Sequence, residues 1–327
     1  MRVFLTGGTG FLGKRIAERL VRAGHQVRAL VRPGRGDRRM PKGVEPVTGD
    51  VVDRDSLARG AEGAEVIFHI AALVKMWAPD RRRFDDVNIG GLRNILEVAR
   101  RTGVRRLLYT SSFIALGPTD GRVADETWVH PPERYHNDYE RTKAAADLVA
   151  RAAAAEGAPI VILYPGVIYG AGEMTGGSLM TKTIRDFMRR RVPYLGSGDQ
   201  TICYAFIDDV VEGHMEALAR GQLGRGYILG GENVDFHRLF TLLSKLTGIP
   251  APRLHVPFRV MELAGRLLRW RADLTGAEPA LTDQVVRIYR HDWAYSSQRA
   301  CREIGYRITP LEEGLRRTVQ WLRSRPA

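Results

Sequence analysis

The feature that most constrains this chain is a glycine-dense turn near its start, Gly7-Gly8-Thr9-Gly10-Phe11-Leu12-Gly13. Arg2 to Thr6 before it reads as a strand, and Phe11 to Ala23 after it reads as an amphipathic helix. Gly8, Gly10 and Gly13 satisfy GxGxxG, while Gly7, Gly10 and Gly13 satisfy GxxGxxG. Glycine permits the tight turn and lets the backbone approach a pyrophosphate. The helix N-terminus adds free N–H groups and a partial positive charge. The turn therefore predicts dinucleotide binding, with Gly7, Gly10, Phe11, Leu12 and Gly13 as its phosphate contacts.

The next segments repeat the pattern. Strands are expected at His25 to Val31, Glu65 to Ile70, Arg105 to Thr110 and Ile160 to Leu163, with helices at about Phe84 to Arg101 and Asp138 to Glu156. Continuous apolar runs separated by helices imply a parallel sheet covered on both faces, a doubly wound (Rossmann) α/β fold. After about Pro165 helical stretches dominate: Ser178 to Arg191, Asp208 to Ala219, Asp235 to Thr247, Phe258 to Arg271 and Leu311 to Arg323. The expected division is a dinucleotide-binding domain of 1–167 plus about 201–222, and a smaller, mostly helical substrate lobe of about 168–200 plus 223–327.

Composition excludes several classes. With 44% apolar residues in 327, a sizeable core can form. No run approaches the roughly 18 apolar residues of a membrane span. The N-terminus lacks the order of a signal peptide, so a cytoplasmic location is expected. Two cysteines, Cys203 and Cys301, and eight scattered histidines build no zinc site or disulfide framework, so no metal is expected. The net charge of +13 attracts anions in general, but the only dense basic clusters are Arg35 to Arg39 and Arg81 to Arg83. With no nucleic-acid motif, no nucleic-acid partner is expected. Phe258 to Arg271 is apolar on one face and carries Arg259, Arg266, Arg269 and Arg271. It reads as a lobe helix with a wet arginine face, and contact with a membrane surface is not expected.

Cofactor choice is read at the end of the second strand. Val31 stands where an NAD-selective site would place an acid, Arg32 follows, and the next acid, Asp37, comes late. An arginine there can pair with a 2′-phosphate, which favours NADP(H) over NAD(H). The chemistry is read from Tyr139-Glu-Arg-Thr-Lys143, a YxxxK spacing that puts both side chains on one helix face. An ammonium one turn away is expected to lower the phenol's pKa, and Lys143 can also reach a cofactor ribose. Ser111-Ser112 ends a strand, where doubly wound folds hold ligands, and a hydroxyl there can bond a substrate carbonyl.

The order glycine turn, Ser, YxxxK resembles the extended short-chain dehydrogenase/reductases, the NAD-dependent epimerase/dehydratase family, over nearly the whole chain. The resemblance implies an NAD(P)-dependent oxidoreductase with Ser112, rather than Ser111, as catalytic hydroxyl beside Tyr139 and Lys143. It further implies Asp50 and Val51 as adenine-side contacts and His69-Ile70-Ala71-Ala72 as a cofactor-lining strand end. Asn88 becomes the buried residue that helps set the active-site geometry, and Pro165 and Val167 flank the nicotinamide. Phe206-Ile207-Asp208-Asp209-Val210 resembles the family's returning segment. The VRALVRP stretch, the YTSS strand end and the missing acid are similar to the dihydroflavonol-4-reductase branch. Met76-Trp77-Ala78-Pro79-Asp80, Tyr227 to Asn233 and Tyr295-Ser296-Ser297 resemble bacterial members of the hopanoid-associated sugar epimerase type.

One departure matters. Members acting on nucleotide-sugars often carry an arginine where this chain has Ile202. Losing a diphosphate-binding cation disfavours such a substrate. The expected reaction is reduction of a ketone or aldehyde, with Tyr139 protonating the alkoxide and Ser112 orienting the carbonyl. An epimerase or dehydratase with internally recycled hydride, and a non-catalytic NADP-binding protein, stay open as alternatives. Trp77, Met174, Tyr204 and Phe206 are candidate pocket residues. The resemblance also suggests a homodimer through the Phe84 and Tyr139 helices.

Overall fold

A computed structural model describes residues 1–34, 40–131, 135–192, 194–196 and 199–325. The Arg35 to Arg39 cluster, with Asp37, lies outside the described residues. The chain runs β1 (Arg2–Thr6), α1 (Phe11–Arg22), β2 (Gln26–Val31), β3 (Val44–Thr48), α2 (Arg54–Ala61), β4 (Val66–His69), α3 (Arg82–Phe84), α4 (Gly91–Thr102), β5 (Arg106–Thr110), α5 (Asp138–Ala155), β6 (Ile160–Pro165) and β7 (Val167–Tyr169). There follow α6 (Leu179–Met188), β8 (Tyr194–Gly196), β9 (Ile202–Phe206), α7 (Ile207–Arg220), β10 (Gly226–Leu229), β11 (Asn233–Val234), α8 (Phe236–Thr247), β12 (Leu254–Val256), α9 (Phe258–Thr275), α10 (Asp283–Ile288), α11 (Gln298–Ile304) and α12 (Leu311–Arg323).

Seven strands form one sheet in the order β10-β6-β5-β4-β1-β2-β3, every pair parallel. Successive side chains face opposite sides of a strand, and both sides are apolar here. Val3 and Leu5 enter one core with α1 and α7, while Phe4 enters the other with α2 and α4. Strands β5 and β6 divide likewise: Leu108, Val161 and Leu163 on one side, Leu107, Ile160 and Ile162 on the other. The neighbours β1 and β4 are not consecutive in the chain, so the winding reverses between them. Ligand crevices open outside the C-terminal strand ends at such a reversal.

Two edge strands escaped the sequence reading. In β3, Val-Glu-Pro-Val-Thr, only the first residue is fully buried, and an edge strand tolerates the charge and the proline. Strand β10 pairs with β6, so the large sheet extends to Leu229, past the return expected to end near residue 222. A smaller three-stranded sheet, β11-β9-β7, leads into the helical C-terminal region. Helix α9 also differs from expectation. Its buried residues are Gly265 and Ala272, while Val260, Leu263, Leu267, Trp270 and Leu274 face solvent. The apolar side is turned outward, because the helix docks on α10 through small residues and ion pairs. Among the described residues no helix is long and apolar enough to cross a membrane, and both cysteines are free thiols.

Candidate active site

The glycine turn closes tightly at the end of β1. Gly7 takes a φ of +81°, a conformation favouring glycine, and a Cβ there would meet the Ala71 nitrogen at 2.7 Å. The Gly10 N–H donates to the Gly7 carbonyl at 2.9 Å. A Cβ on Gly13 would stand 2.2 Å from that same oxygen. The turn thus uses Gly7, Gly10 and Gly13 as its closely packed set. Helix α1 begins at Phe11 with no side-chain cap and no acid in its first turn. Its leading N–H groups and positive dipole end are left to a ligand, which fits a pyrophosphate.

The ends of β2 and β3 lie side by side. Val31 is buried, whereas Arg32 is exposed and has no ion-pair partner among the described residues. Gly49 N–H donates to the Val31 carbonyl at 2.9 Å, and the Asp50 carboxylate accepts the Val52 N–H at 3.3 Å. The Asn94 amide donates to the Val51 carbonyl at 3.0 Å, pinning this turn to α4. At the end of β4, the Thr6 hydroxyl bonds the His69 ring at 2.9 Å and accepts the Ala71 N–H at 3.3 Å. Burial, aided by the Lys143 charge, lowers the His69 pKa to about 3, so this ring is neutral. Ala72 continues this half-buried segment.

Asn88 sits in a π-helical turn, Asp85–Gly90, between α3 and α4. Such wider turns recur at functional sites. Its carbonyl accepts the Leu73 N–H at 2.8 Å, and its amide donates to the Thr142 hydroxyl at 3.0 Å. One buried side chain thus ties the segment after β4 to the helix carrying Tyr139 and Lys143.

Ser112, Tyr139 and Lys143 come together at the C-terminal end of β5. Ser112 stands beside Tyr139, and its hydroxyl accepts the Ile114 N–H at 3.3 Å. The neighbouring Ser111 hydroxyl lies by the buried Tyr109 phenol instead, so Ser112 is the serine turned to Tyr139. Burial raises the Tyr139 pKa to about 12, with the Ser112 hydrogen bond pulling the other way. This corrects the expected lysine-lowered phenol. The Lys143 ammonium instead donates to the Thr110 carbonyl at 3.1 Å and lies over the Tyr109 ring. Burial lowers the Lys143 pKa to about 8, opposed by the Asp147 carboxylate one turn on.

Residues that the sequence reading missed surround this centre. The His214 Nδ1 bonds the Val210 carbonyl at 2.7 Å, and a carbonyl only accepts. Its Nε2 must then accept from the Thr110 hydroxyl, 2.9 Å away, which fixes the strand end that holds Lys143. Burial lowers the His214 pKa to about 4, consistent with that neutral tautomer. At the start of α5, Asn137 caps the Glu140 N–H at 2.8 Å. The fully buried Glu140 accepts from His130 at 2.8 Å and from the His136 backbone at 2.8 Å. Burial would raise its pKa, but the hydrogen bonds from the two histidines prevail and lower it. Asn137-x-x-Glu140 is a helix-start spacing, a signal available in the sequence. Beside it lies a cavity of about 580 Å³ lined by Asp120, Arg122, Trp128, Tyr135, His136 and His291. Ser112, Tyr139 and Lys143 do not line it.

Pro165 ends β6 and Val167 opens β7. Between them a Cβ on Gly166 would lie 2.7 Å from the Cys203 carbonyl oxygen. Of the candidate pocket residues, Trp77 donates to Asp273 at 2.8 Å and Met174 is half-buried before α6. Tyr204 and Phe206 are packed in the core with Tyr169. The Asp208-Asp209 pair anchors α7: Asp208 binds Arg15 of α1 at 2.5 Å, and Asp209 accepts the Thr309 N–H at 2.7 Å.

The model of the NAD dependent epimerase/dehydratase family matches residues 3–230. A Synechocystis sp. protein provisionally named dihydroflavonol 4-reductase is 34% identical, covering 98% of this chain and 94% of its own. A Stigmatella aurantiaca protein named 4-hydroxy-2-methyl-3-oxo-4-farnesyl-3,4-dihydroquinoline-1-oxide ketoreductase is 31% identical, covering 94% of this chain and 92% of its own. The crystal structure of gox2253 superposes with a TM-score of 0.83 at 30% identity, covering 98% of this chain and 97% of that one.

Proposed function

The chain belongs to the NAD dependent epimerase/dehydratase family and is an NAD(P)-dependent oxidoreductase, and on that footing we propose that it reduces a ketone or aldehyde with NADPH. The observation that carries the reading is the gathering of Ser112, Tyr139 and Lys143 at the C-terminal end of β5, with Lys143 bonded to the Thr110 carbonyl and Asn88 tying α5 to the segment after β4. When bound, the cofactor supplies a hydride to the carbonyl carbon. Gly7, Gly10, Gly13 and the leading N–H groups of Phe11 and Leu12 hold its pyrophosphate. Asp50 and Val51 border its adenine, while Ala71, Ala72, Pro165 and Val167 border its other end.

The protein's own residues manage the oxygen. Ser112 donates a hydrogen bond to the carbonyl, orienting it and stabilising the developing negative charge. With a pKa of about 12, Tyr139 keeps its proton at neutral pH and delivers it from Oη to the alkoxide as general acid. The Lys143 ammonium, held on the Thr110 carbonyl, would bond the cofactor ribose. Asn88 and His214 act through their neighbours, by fixing α5 and Thr110.

Two observations support the finer choices. The exposed Arg32, without an ion-pair partner among the described residues and next to a buried Val31, suits a 2′-phosphate and favours NADPH. The buried Ile202 offers no cation to a sugar diphosphate, favouring a less polar carbonyl over the recycling epimerase reaction. The test is a carbonyl panel with NADPH and the Tyr139→Phe variant. Stoichiometric NADPH oxidation is expected, with turnover about 10²–10⁴-fold lower in the variant and unchanged cofactor affinity. Sugar epimerisation without net NADPH consumption overturns the proposal.

A further inference from the structure

Helix α9 inverts the usual arrangement of a surface helix. Val260, Leu263, Leu267, Trp270 and Leu274 are 57–68% exposed. At 3.6 residues per turn they fall within about 80° of arc, a stripe roughly 21 Å long. The opposite side is small: a Cβ on Gly265 would lie 2.4 Å from the Asp283 nitrogen, so the two backbones touch, and Ala272 is buried beside it. Flanking ion pairs complete the docking, Arg269 with Asp283 at 2.8 Å and Glu262 with Arg287 at 2.9 Å. The attachment to α10 therefore satisfies the polar flanks and leaves the bulky apolar side chains in water. A contiguous exposed apolar surface of this kind marks an interaction site.

Its borders indicate the occupant. Arg259 and Arg266 flank one edge of the stripe and Arg271 the other, all exposed, in a chain of net charge +13. Long arginine stems lie along apolar surface with their charges at the headgroup level, and tryptophan favours the same boundary. An apolar stripe bordered by arginines fits the surface of an anionic bilayer. The last turn of α9 also reaches the site. Trp77 donates to Asp273 at 2.8 Å, and Lys75 pairs with Glu278 just past the helix at 3.0 Å. Both belong to the segment after β4 that Asn88 holds through Leu73.

We propose that α9 seats this protein on anionic membrane surfaces, with the 71–78 segment at the bilayer boundary so that lipid-soluble carbonyl substrates reach the site from the membrane. The seating stands on the stripe and its arginine borders, and the delivery rests on the reductase reading above. The test is flotation of the full chain with vesicles of phosphatidylcholine, with and without phosphatidylglycerol. The wild type is expected to float with the phosphatidylglycerol vesicles and to be released by high salt. The Leu267→Glu/Trp270→Glu variant alters only exposed side chains, so its melting temperature and NADPH affinity are expected to stay unchanged. Its vesicle binding is expected to fall about tenfold or more. The variant should keep its turnover of a water-soluble aldehyde and lose most of its turnover of a long-chain ketone held in the vesicles.

Equal flotation of variant and wild type overturns the proposal, as does absence of wild-type flotation. A stripe-dependent dimer in sedimentation, without vesicle binding, assigns the surface to a second copy and also overturns it. Failure to turn over any carbonyl sinks the reductase reading and the delivery role, while flotation still decides the seating.

Discussion

Replacing Gly13 with alanine sets two physical effects against each other. Intrinsic propensity favours alanine over glycine in a helix by about 1 kcal/mol. The structure opposes this, because the new Cβ would lie 2.2 Å from the Gly7 carbonyl oxygen and 2.8 Å from its carbon. Those are backbone atoms, and Gly7 has little room to retreat. The wall behind it is the backbone of Ile70 and Ala71: a Cβ on Gly7 would itself meet the Ala71 nitrogen at 2.7 Å and the Ile70 carbonyl carbon at 2.9 Å. Overlap of this kind costs about 1–3 kcal/mol, so it outweighs the propensity gain and leaves Gly13→Ala less stable than the parent by up to about 2 kcal/mol. Relief requires the turn to open where the pyrophosphate binds, and the same strain weakens NADPH binding by about 10–100-fold at roughly 1.4 kcal/mol per decade. Gly90→Ala is the control. Gly90 has helical angles of −59° and −47°, and the nearest atom to a Cβ there is the Asp85 oxygen at 3.8 Å. That variant is expected to gain up to about 1 kcal/mol. Urea unfolding and NADPH fluorescence titration read both quantities. A Gly13→Ala protein as stable as the parent with unchanged affinity refutes the reasoning, and so does a Gly90→Ala protein that loses as much as Gly13→Ala.

The remaining expectations concern charge and positioning. Burial holds the Lys143 pKa at about 8, below the free value of 10.5, so kcat/KM for reduction is expected to fall above about pH 8 as the ammonium is lost, and Lys143→Arg to move that limb upward. Between about pH 8 and 10.5 the unfolded chain binds more protons at this residue than the folded one, so its contribution to stability rises with pH across that window. Lys143→Met is expected to remove that contribution from urea unfolding followed across the same window. Asn88→Ala leaves the Leu73 N–H unpaired and releases Thr142, so a loss of about 1–3 kcal/mol is expected in the same assay, with kcat falling more than NADPH affinity. Arg32→Ala is expected to weaken NADPH binding about 10–100-fold and NADH binding far less, which paired titrations check.

The fold was legible wherever local pattern and tertiary role agree. Strands β1, β4, β5 and β6 are buried on both faces and read as unbroken apolar runs, and the expected helix Leu311 to Arg323 matches α12. The edge strands were not legible for the opposite reason. Glu45, Pro46 and Thr48 of β3 are exposed, so little in that strand advertises burial. At the site, the glycine spacing and YxxxK announced themselves because backbone geometry dictates both. His130 and His214 did not. His214 of α7 reaches Thr110 of β5 and His130 reaches Glu140 of α5 from the preceding segment, and no spacing within one element announces contacts between elements.

The Tyr139 pKa shows where spacing stops being informative. Two residues four apart on a helix share a face, but the direction in which a long side chain points depends on what else it can bond. Lys143 finds the Thr110 carbonyl, and the phenol is left to burial and Ser112. Helix α9 makes the same point on a larger scale. Periodicity reports that a helix has an apolar side and a charged side, and it is blind to which one turns inward. That choice is made by the neighbour: α10 offers Asp283 and Arg287 and a backbone close enough to admit only Gly265. A helix that could have buried five large apolar side chains instead buries a glycine and an alanine. At roughly 25 cal/mol per Å² of apolar surface, leaving that stripe in water forgoes stabilisation that a covering surface would recover, which is the physical reason to look for that surface.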